Sequence, residues 1–288
     1  MTKVASDVSI VSANFNNGDF LADYFESIIN SNMLPQECII CDDGSSDKSV
    51  EIIEKYAQQF PWIKPIFFKE NKGVAHATNA ALKEAKSLYI LRLDSDDYIL
   101  PNRIEQQLEF MISHPQVDVL GGNCIYFDSE TGKDMHRSNF FSEPKKIKNL
   151  YHIGENGVLN GTTMVKKKWF DKIQYRQEMV WAEDYDLFAR MLHEGANFHG
   201  QGKALTKVRI HRSSATSNLE FDTLKKAHDL SKELFNNPAS GSAIRRNYKH
   251  LIHYRKYMMS NNPIVRLSSL LLSILYRPDK MINRILKR

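Results

Sequence analysis

Three carboxylates follow a short apolar segment in the first half of the chain. In LYILRLDSDDYILPNRIEQQ (residues 88–107), Asp94, Asp96 and Asp97 come directly after a run rich in leucine and isoleucine. A helix N-terminus would explain one of them, because the helix dipole favours negative side chains there. Three in four residues exceed that need. Mg²⁺ and Mn²⁺ bind carboxylates together with phosphate oxygens, so the D-x-D of Asp94 and Asp96 predicts a metal held against a diphosphate.

Two further polar clusters come after apolar runs. In DDGSSD (42–47), Gly44 and the serines suit a turn that caps the next helix, but a cap does not require Asp42 and Asp43 as well. A buried carboxylate at this point could accept hydrogen bonds from a base or a ribose. Phe15, in ANFNN, follows the first apolar run, and an aromatic ring there could stack on a nucleobase. A place in the hydrophobic core explains Phe15 equally well.

The elements that must position these residues alternate between strands and helices. Segments with helical periodicity lie between the four apolar runs and after the last of them. Such alternation is typical of βαβ units in a mostly parallel sheet. The predicted strands lie at 8–15, 37–43, 63–69 and 88–93, and the predicted helices between them lie at 20–32, 45–60 and 73–86. Ligands of such sheets bind beyond the carboxyl ends of the strands, which places all three polar clusters along one rim. After residue 115 the pattern weakens to a strand pair within 117–137 and a helix that ends at Gly195.

Size and charge limit the classes of protein. The 288 residues suit one large domain, alone or with an extension, and 42% apolar residues are enough for a buried core. From residue 221 onward, 14 Lys and Arg face 4 Asp and Glu, which leaves 25 basic and 30 acidic residues before that point. An acidic body with a basic tail indicates an anionic surface as a partner of the tail. A membrane lipid is favoured over nucleic acid, because the body lacks basic patches interleaved with aromatic residues.

The cysteines and the chain start point to a reducing compartment. Cys38 and Cys41 form a C-x-x-C within a predicted strand, where an offset of three turns the two thiols to opposite faces, and Cys124 is alone. We therefore expect core thiols, with neither a disulfide nor a zinc site. The first 30 residues do not contain a basic segment followed by a long apolar run, so no signal peptide is expected. The sequence contains no uncharged apolar stretch of about 18 residues, so no membrane-spanning helix is expected.

Six segments, taken in order, resemble family 2 glycosyltransferases of the GT-A fold. They are VSIVSANFN, CDDGSSDKS, NKGVAHATNAAL, LDSDD, WAEDYDLFAR and RIHRSSATS. The resemblance covers residues 7–217, about three quarters of the chain. It implies a Rossmann-like α/β catalytic domain over 1–217, followed by a basic helical extension over 218–288. It also implies an inverting enzyme that uses a nucleotide-diphosphate sugar and a divalent metal, Mn²⁺ or Mg²⁺.

The resemblance assigns nucleotide and metal contacts to matching positions. Phe15 falls where the family has a tyrosine that packs on the base, and Asp42 falls at the carboxylate that meets the base. Asp94 is expected near the ribose, and Asp96 at the metal and diphosphate. The same resemblance places His211 near the metal. Nucleotide contacts are also expected from the loop that contains Asn71 and Gly73.

The same resemblance assigns the base and the sugar contacts. Asp184 matches the catalytic base, and adjacent Glu183 is the alternative, since neighbouring residues on a helix point about 100° apart and only one can face the site. By the resemblance, the loop that contains Gly161 and Thr162 lies near the donor or acceptor sugar. Contacts with that sugar are also considered for Arg92 and Trp181, although a place in the hydrophobic core explains Trp181 equally well. Arg92 departs from the apolar residue that many members have, and pairing with a nearby carboxylate would explain it as well. Phe15 lacks the phenolic hydroxyl of the usual tyrosine.

The function expected from these residues is transfer of a sugar, with UDP as the favoured nucleotide. The resemblance implies a saccharide or lipid-linked saccharide acceptor in bacterial surface-glycan assembly, and an enzyme in the cytoplasm or on the inner face of the cytoplasmic membrane. A sugar nucleotidyltransferase is an alternative, but ANFNNGDF is a poor version of the Gly-rich, basic loop it would need. A non-catalytic nucleotide-sugar binding protein is another alternative, although it would not need Glu183, Asp184 and His211.

The end of the chain carries two apolar stripes at helical spacing. Leu267, Leu270, Leu271 and Ile274 form the first, Pro278 interrupts it, and Met281, Ile282, Ile285 and Leu286 form the second. Basic residues flank both stripes. Such a segment is too short to span a bilayer but can lie in the membrane interface beside anionic headgroups. A helix that packs on the catalytic domain would show the same pattern.

Overall fold

A computed structural model describes residues 5–211, 220–237, 240–260 and 262–280. In this part of the chain nine strands form one sheet, in the order β3-β2-β1-β4-β8-β6-β9-β5, with β7 paired to β6. Helices cover both faces of the sheet. The α/β class and the mostly parallel sheet flanked by helices, predicted from the sequence, are confirmed.

The first half of the chain alternates as its periodicity predicts. The elements are β1 (Ala5–Asn14), α1 (Leu21–Ile29), β2 (Leu34–Asp42), α2 (Ser49–Gln59), β3 (Ile63–Phe67), α3 (Val74–Glu84) and β4 (Tyr89–Arg92). Strand β1 pairs in parallel with β2 and β4, and β2 pairs in parallel with β3. Four parallel strands therefore end at the same edge of the sheet.

The second half adds strands of mixed direction. It contains β5 (Tyr98–Ile99), α4 (Arg103–Ser113), β6 (Val119–Asp128), β7 (Asp134–Arg137), α5 (Pro144–His152), β8 (Met164–Lys166), α6 (Lys167–Lys172), α7 (Glu183–His193) and β9 (Phe198–Ile210). Strand β8 lies antiparallel between β4 and β6, and β9 runs parallel to β6. The β6–β7 pair and α7 were expected from the sequence, whereas β8 and β9 were not.

The hydrophobic core lies on both faces of the sheet. Among the described residues, one cluster joins the sheet to α1, α2 and α4, and the other joins it to α3, α5, α6, α7 and α8 (Phe221–Phe235). Alternate residues of β2 serve opposite clusters, so Cys38 belongs to the first and Cys41 to the second. Both thiols are free, as is Cys124, and burial raises the pKa of Cys38 and of Cys41 to about 12. The expectation of inert core cysteines is confirmed.

The C-terminal region is helical, as expected. Helix α8 packs against α7, and α9 (Gly241–Met259) packs against α8 and against α10 (Pro263–Tyr276). Among the helices that the structure describes, none combines the length and the apolar composition that crossing a membrane requires. The second predicted stripe, from Met281 to Leu286, lies outside the described residues.

Candidate active site

The carboxyl ends of β1, β2 and β4 bring the predicted site residues to one rim. Asn14 at the end of β1 is in register with Asp42 at the end of β2, and Val11 of β1 is in register with Arg92 of β4. Phe15 follows β1 directly, and its side chain is 45% exposed. The ring is therefore not a core residue, and it is open to a ligand at this rim.

Asp42 closes the turn after β2. Its carboxylate is 1% exposed and accepts hydrogen bonds from Asn14 Nδ2 at 2.7 Å, from the Ser45 backbone N–H at 2.9 Å and from Ser45 Oγ at 2.7 Å. Three internal donors leave this carboxylate little free capacity. The structure therefore gives Asp42 a role in shaping the rim, and its contact with a nucleotide base stays a prediction.

Asp43, which the sequence analysis left without a role, holds the loop before α3. It is buried, and its two oxygens accept the backbone N–H groups of Lys72 and Gly73, each at 2.8 Å. Gly73 has a φ of 93°, a conformation that few other residues adopt without strain. Asn71 Oδ1 lies 3.2 Å from the same Gly73 nitrogen. The two adjacent aspartates after β2 could have indicated this role in the sequence. Asp42 holds the turn after β2, and Asp43 holds the loop before α3.

Asp94 lies where three elements meet. Its side chain is 51% exposed, its Oδ1 lies 3.7 Å from Arg92 Nη2, and a Cβ on Gly161 would fall 2.9 Å from its Oδ2. Gly161 thus leaves room for the Asp94 carboxylate at its present position. Although half of Asp94 faces solvent, the crowded cleft removes enough water to raise its pKa, against the opposing effect of Arg92. A carboxyl group in this state favours a hydrogen-bonding or cationic ligand.

Asp96 and His211 converge from distant parts of the chain. His211 Nε2 lies 3.0 Å from Asp96 Oδ2, and the imidazole packs on the ring of Phe20 with centroids 4.7 Å apart. The neighbouring Asp97 is buried and accepts the backbone N–H of Arg209 at 2.8 Å. Asp97 therefore fixes the end of β9 and, through it, His211. The rest of the RIHRSSATS segment, from 212 onward, lies outside the described residues.

Two fully buried arginines lie under the carboxylates. Arg92 donates to the carbonyl of Val11 and approaches the ring of Tyr175, with Cζ 5.9 Å from the centroid. Arg103 donates to the carbonyls of Gly161 at 2.8 Å and of Arg92 at 2.9 Å. Burial lowers the pKa of Arg103 to about 9, so it is still charged at neutral pH.

These arginines offset part of the negative charge of the rim. The pairing of Arg92 with a carboxylate, one of its two sequence interpretations, is what the structure shows. The sequence analysis missed Arg103, since an arginine inside an amphipathic helix normally faces solvent.

The predicted base lies at the start of α7. Burial raises the pKa of Asp184 well above its ordinary value, and the charges of Glu183 and Asp94 add to this, whereas Arg92 opposes it. Burial also raises the pKa of Glu183, whose Oε2 is buried and has no hydrogen-bond partner in the described part of the chain. The start of α7 therefore lies close enough to Asp94 and Arg92 for their charges to act on Asp184.

Asp186 anchors the start of α7. It is fully buried and accepts Nε of Arg176 at 3.0 Å and Nε of Arg190 at 3.0 Å. A buried carboxylate between two guanidinium groups resists rotation of the helix, because breaking such a pair leaves an uncompensated charge. Asp186 thereby fixes the direction in which Asp184 points. Its spacing of four from Arg190 was the available signal.

Two residues expected to touch a sugar have different surroundings. Thr162 is 1% exposed, and its hydroxyl lies 2.7 Å from the carbonyl of Leu159 and 3.2 Å from the backbone N–H of Gly122. The hydroxyl is used internally and anchors the loop, so a contact between Thr162 and a sugar stays a prediction. Trp181, by contrast, is 52% exposed and has a φ of 66°. A large residue in this conformation is strained, and such strain is concentrated at functional sites.

A divalent cation is implied by the D-x-D, and Asp96 with His211 fits one. Two ligands at right angles, with bonds of about 2.1 Å, lie about 3 Å apart, which matches their separation of 3.0 Å. Among the described residues no group of three or more potential ligand side chains gathers. Mg²⁺ commonly uses one or two protein ligands and completes its shell with water and phosphate.

The sheet and its rim define the class of protein before any comparison. A mostly parallel sheet with a D-x-D beyond one strand and an acid at the start of a nearby helix is the arrangement of a GT-A glycosyltransferase. The sequence profile of glycosyl transferase family 2 matches residues 9–174. The chain belongs to glycosyl transferase family 2, and it is a glycosyltransferase.

A sequence relative and two solved structures resemble the chain. The UDP-Glc:alpha-D-GlcNAc-diphosphoundecaprenol beta-1,3-glucosyltransferase WfaP of Escherichia coli is 29% identical over 225 residues, which cover 77% of this chain and 85% of WfaP. The S. aureus TarS 1-349 structure with UDP-GlcNAc has a TM-score of 0.66 at 19% identity, over 94% of this chain and 80% of TarS. The mannosyltransferase PcManGT of Pyrobaculum calidifontis, with GDP-Man and Mn²⁺, has a TM-score of 0.58 at 14% identity, over 92% and 73%. The two structures support the GT-A fold.

Proposed function

We propose that this glycosyltransferase is an inverting, metal-dependent enzyme that transfers a sugar from a UDP-sugar to a hydroxyl of a saccharide or lipid-linked saccharide. The observation that supports this most is the meeting of two carboxylate groups in one cleft. Asp94 and Asp96 follow β4, Glu183 and Asp184 begin α7, and Asp184 interacts electrostatically with Asp94 and Arg92. The domain division at 217/218 is part of the same proposal.

The first carboxylate group would deal with the leaving nucleotide. A divalent ion held by Asp96 and His211 would act as a Lewis acid that neutralises charge on the diphosphate. Asp94 would contact the ribose, while the loop around Asn71 and Gly73 and the ring of Phe15 would contact the nucleotide. The backbone N–H groups of Lys72 and Gly73 are used by Asp43, so this loop is preorganised before a nucleotide arrives.

The second carboxylate group would deal with the acceptor. The attacking hydroxyl must lose a proton, and Asp184 would accept it, with Glu183 as the alternative. A base on the sugar face opposite the leaving group directs in-line attack, which inverts the anomeric centre. The raised pKa of Asp184 suits this role, since a base works best when its pKa approaches the working pH.

Trp181 is proposed to bind a sugar of the acceptor. Its exposed ring lies at most three residues from both candidate bases, and its backbone is held in a strained conformation that a packing role alone does not require. An exposed indole offers a flat apolar face to the C–H side of a sugar ring. Gly161 has no side chain, so its backbone lies close to the Asp94 carboxylate.

The donor and the setting are proposed from the relatives. WfaP is named for UDP-Glc and for an acceptor on diphosphoundecaprenol, and the TarS structure contains UDP-GlcNAc. A UDP-linked hexose or N-acetylhexosamine and a lipid-linked surface glycan therefore fit best. We place the enzyme on the cytoplasmic face of the membrane, where such acceptors are built.

A donor screen tests the proposed activity. Purified protein with Mn²⁺ should release UDP slowly from one UDP-sugar without acceptor and faster when a lipid-linked saccharide is added. The same sugar should raise the melting temperature only when Mn²⁺ is present. If no nucleotide sugar stabilises the protein or is hydrolysed, with or without metal, the proposed reaction is wrong.

Phe15→Ala should weaken UDP binding by about 1–3 kcal/mol, because the exposed ring at the end of β1 is expected to stack on the base. Isothermal titration with UDP measures the change. Leu88→Ala is the matched control, since Leu88 is 67% exposed but precedes β4 at the opposite edge of the sheet. Equal affinities of wild type and Phe15→Ala for UDP would show that the Phe15 ring does not stack on the base.

We further propose that α10 attaches the enzyme to an anionic membrane surface. The helix packs on α9 through a polar face, where Ser269 and Ser273 are buried. Six of its large apolar side chains face outward instead, whereas Leu270 and Ile274 are half-buried. The exposed residues are Ile264, Val265, Leu267, Leu271, Leu272 and Leu275. At 100° per residue these six lie within an arc of about 160°. A contiguous exposed apolar face of this kind marks an interaction surface.

Liposome flotation tests this attachment. The full-length protein should float with anionic liposomes, and Leu267→Gln/Leu271→Gln/Leu275→Gln should stay in the dense fraction. Leu88→Gln/Ile112→Gln removes comparable exposed apolar side chains elsewhere and should leave flotation unchanged. About 0.5 M salt should weaken binding, since screening cuts attraction between the basic tail and the lipid. Flotation that is equal for both variants would rule out α10 as the attachment surface.

A further inference from the structure

A second cavity lies in the helical C-terminal region. It has a volume of about 450 Å³ and lies between the segment after α5, helices α8 and α9, and the end of α10. The charge of Lys226 in α8 lowers the pKa of Glu183 in the active site, whereas His228, two residues further on, lines the cavity. Helix α8 therefore lies between the cavity and the active site. Residues two apart on a helix point about 200° apart, so the two sites are on opposite sides of α8. The cavity is therefore not part of the active site.

His228 lines the cavity and carries an unused hydrogen-bonding group. Its ring is 7% exposed and packs on Gly154, where a Cβ would fall 2.6 Å from Nδ1. The amide nitrogen of Asn237 lies 3.5 Å from the same Nδ1, which makes Nδ1 the acceptor and leaves the proton on Nε2. Nε2 is buried and has no hydrogen-bond partner among the described residues. A buried donor without an acceptor favours a ligand that supplies an oxygen.

The charged groups around the cavity leave cations in excess. Its two carboxylates are already engaged: Arg277 binds Asp279 at 2.7 Å and lies 3.6 Å from Glu155, which also pairs with Lys280. Arg246 lines the cavity, is exposed and forms no ion pair in the described part of the chain. The available groups are therefore donors, and an anion with several acceptor oxygens matches them.

The cavity also adjoins the apolar face of α10. Tyr276 and Arg277 line it, and they follow Leu275, which is 74% exposed, directly in the chain. Ile153, Ala243 and Pro278 add apolar lining. A ligand here would meet donors at one end and exposed leucines at the other, which is the chemistry of a phosphate with hydrocarbon chains.

We infer that this cavity binds the phosphate group of a membrane lipid, with Arg246 and Nε2 of His228 as donors, while the hydrocarbon chains lie along the outward face of α10. The inference rests on the proposed membrane attachment and gives it a specific headgroup site. It also supplies a reason for the buried, unpartnered imidazole. Free phosphate has the same oxygen atoms, but the adjoining leucines favour the lipid.

Binding of a water-soluble lipid tests the site without a bilayer and without catalysis. Dihexanoyl phosphatidic acid, kept below its micelle concentration, is titrated into the full chain by calorimetry, beside inorganic phosphate and dihexanoylglycerol. The lipid phosphate should bind at least about tenfold more tightly than either fragment. Equal binding of inorganic phosphate would show a free-anion site and overturn the lipid assignment, and absence of binding would overturn the site itself.

Arg246→Gln and Arg245→Gln form a matched pair for this measurement. Both arginines are exposed on α9 and lack ion pairs with the described residues, but only Arg246 lines the cavity. Arg246→Gln should lose about tenfold in affinity, the effect of one charge-assisted hydrogen bond, and Arg245→Gln should bind as wild type. His228→Leu should lose a similar factor if its melting curve shows that it folds. Equal losses in the two arginine variants would reduce the effect to general charge and contradict the site.

This outcome is separable from the proposed reaction. UDP release by Arg246→Gln with a soluble saccharide acceptor should equal that of wild type, since the cavity is on the far side of α8. Failure of lipid binding with normal transfer would therefore remove only the headgroup site.

Discussion

Asp184→Asn should lower kcat by about 10²–10⁴ while binding of the nucleotide sugar survives, because the amide cannot accept the proton of the attacking hydroxyl. Steady-state kinetics with saturating donor measures the first quantity, and calorimetry with UDP-sugar and Mn²⁺ measures the second. Among the described residues, the Asp184 side chain forms no hydrogen bond or ion pair that would hold the fold, whereas Asp186, about 200° further around the helix, is fully buried between two arginines. The Asp184 variant should therefore fold normally.

Glu183→Gln decides between the two adjacent acids. If Asp184 is the base, this variant should keep most of its activity, since Glu183 would then not be the group that accepts the proton. A crippled Glu183→Gln beside a nearly normal Asp184→Asn would move the assignment by one residue.

The pH dependence of wild-type activity gives a second test of Asp184. Burial, with the charges of Glu183 and Asp94, raises the pKa of Asp184 above 3.8. A base must be deprotonated to work, so kcat/KM should fall as the pH drops through this raised pKa. The acidic limb of the profile should therefore lie above the ordinary range of aspartate, and it should be absent from the residual activity of Asp184→Asn.

Asp96→Asn should reduce transfer by roughly 10³-fold or more, since a Lewis-acid metal contributes several kcal/mol to stabilising the leaving diphosphate. The amide can still hydrogen-bond His211, so the fold should persist. Binding of Mn²⁺, followed by electron paramagnetic resonance in the presence of UDP, should weaken in parallel. Wild-type enzyme in excess EDTA should match the variant.

Asp19→Asn is the control for removal of a charge near the rim. Asp19 is 76% exposed and pairs only with Lys48 among the described residues, so its loss should leave Mn²⁺ binding and transfer unchanged. Full activity of wild type in EDTA, or of Asp96→Asn without added metal, would contradict the role of the metal.

The sequence alone was sufficient for the rim. Helix and strand periodicities are local, and the parallel direction of β1, β2 and β4 follows from the helices between them. That direction places Phe15, Asp42 and Asp94 at one edge without any knowledge of side-chain contacts. The same local reasoning predicted the opposite-facing thiols of Cys38 and Cys41, which the core confirms.

The tertiary structure decided which of those polar residues are still free to act. Asp42 and Thr162 are both buried, and internal hydrogen-bond partners already occupy their side-chain oxygens. Arg103 belongs to α4, whose apolar periodicity is that of an ordinary amphipathic helix. Its side chain nevertheless extends beneath the acidic cluster and donates to the carbonyls of Gly161 and Arg92. Arg103 and Gly161 are 58 residues apart, and Asn14 and Asp42 are 28 residues apart. Hydrogen bonds at such separations leave no local periodicity, so no pattern in the sequence could have shown them.

Helix α10 shows the division most clearly. Its apolar stripe and its basic flanks were legible in the sequence, and they predicted a helix with two possible surroundings: the catalytic domain or a membrane surface. Only the packing of α9 against Ser269 and Ser273 showed which face turns inward. The sequence determines which faces a helix has, because side chains follow its fixed rotation of about 100° per residue. Which face is buried depends on the shape and polarity of the partner, and that partner is chosen only when distant segments of the chain meet.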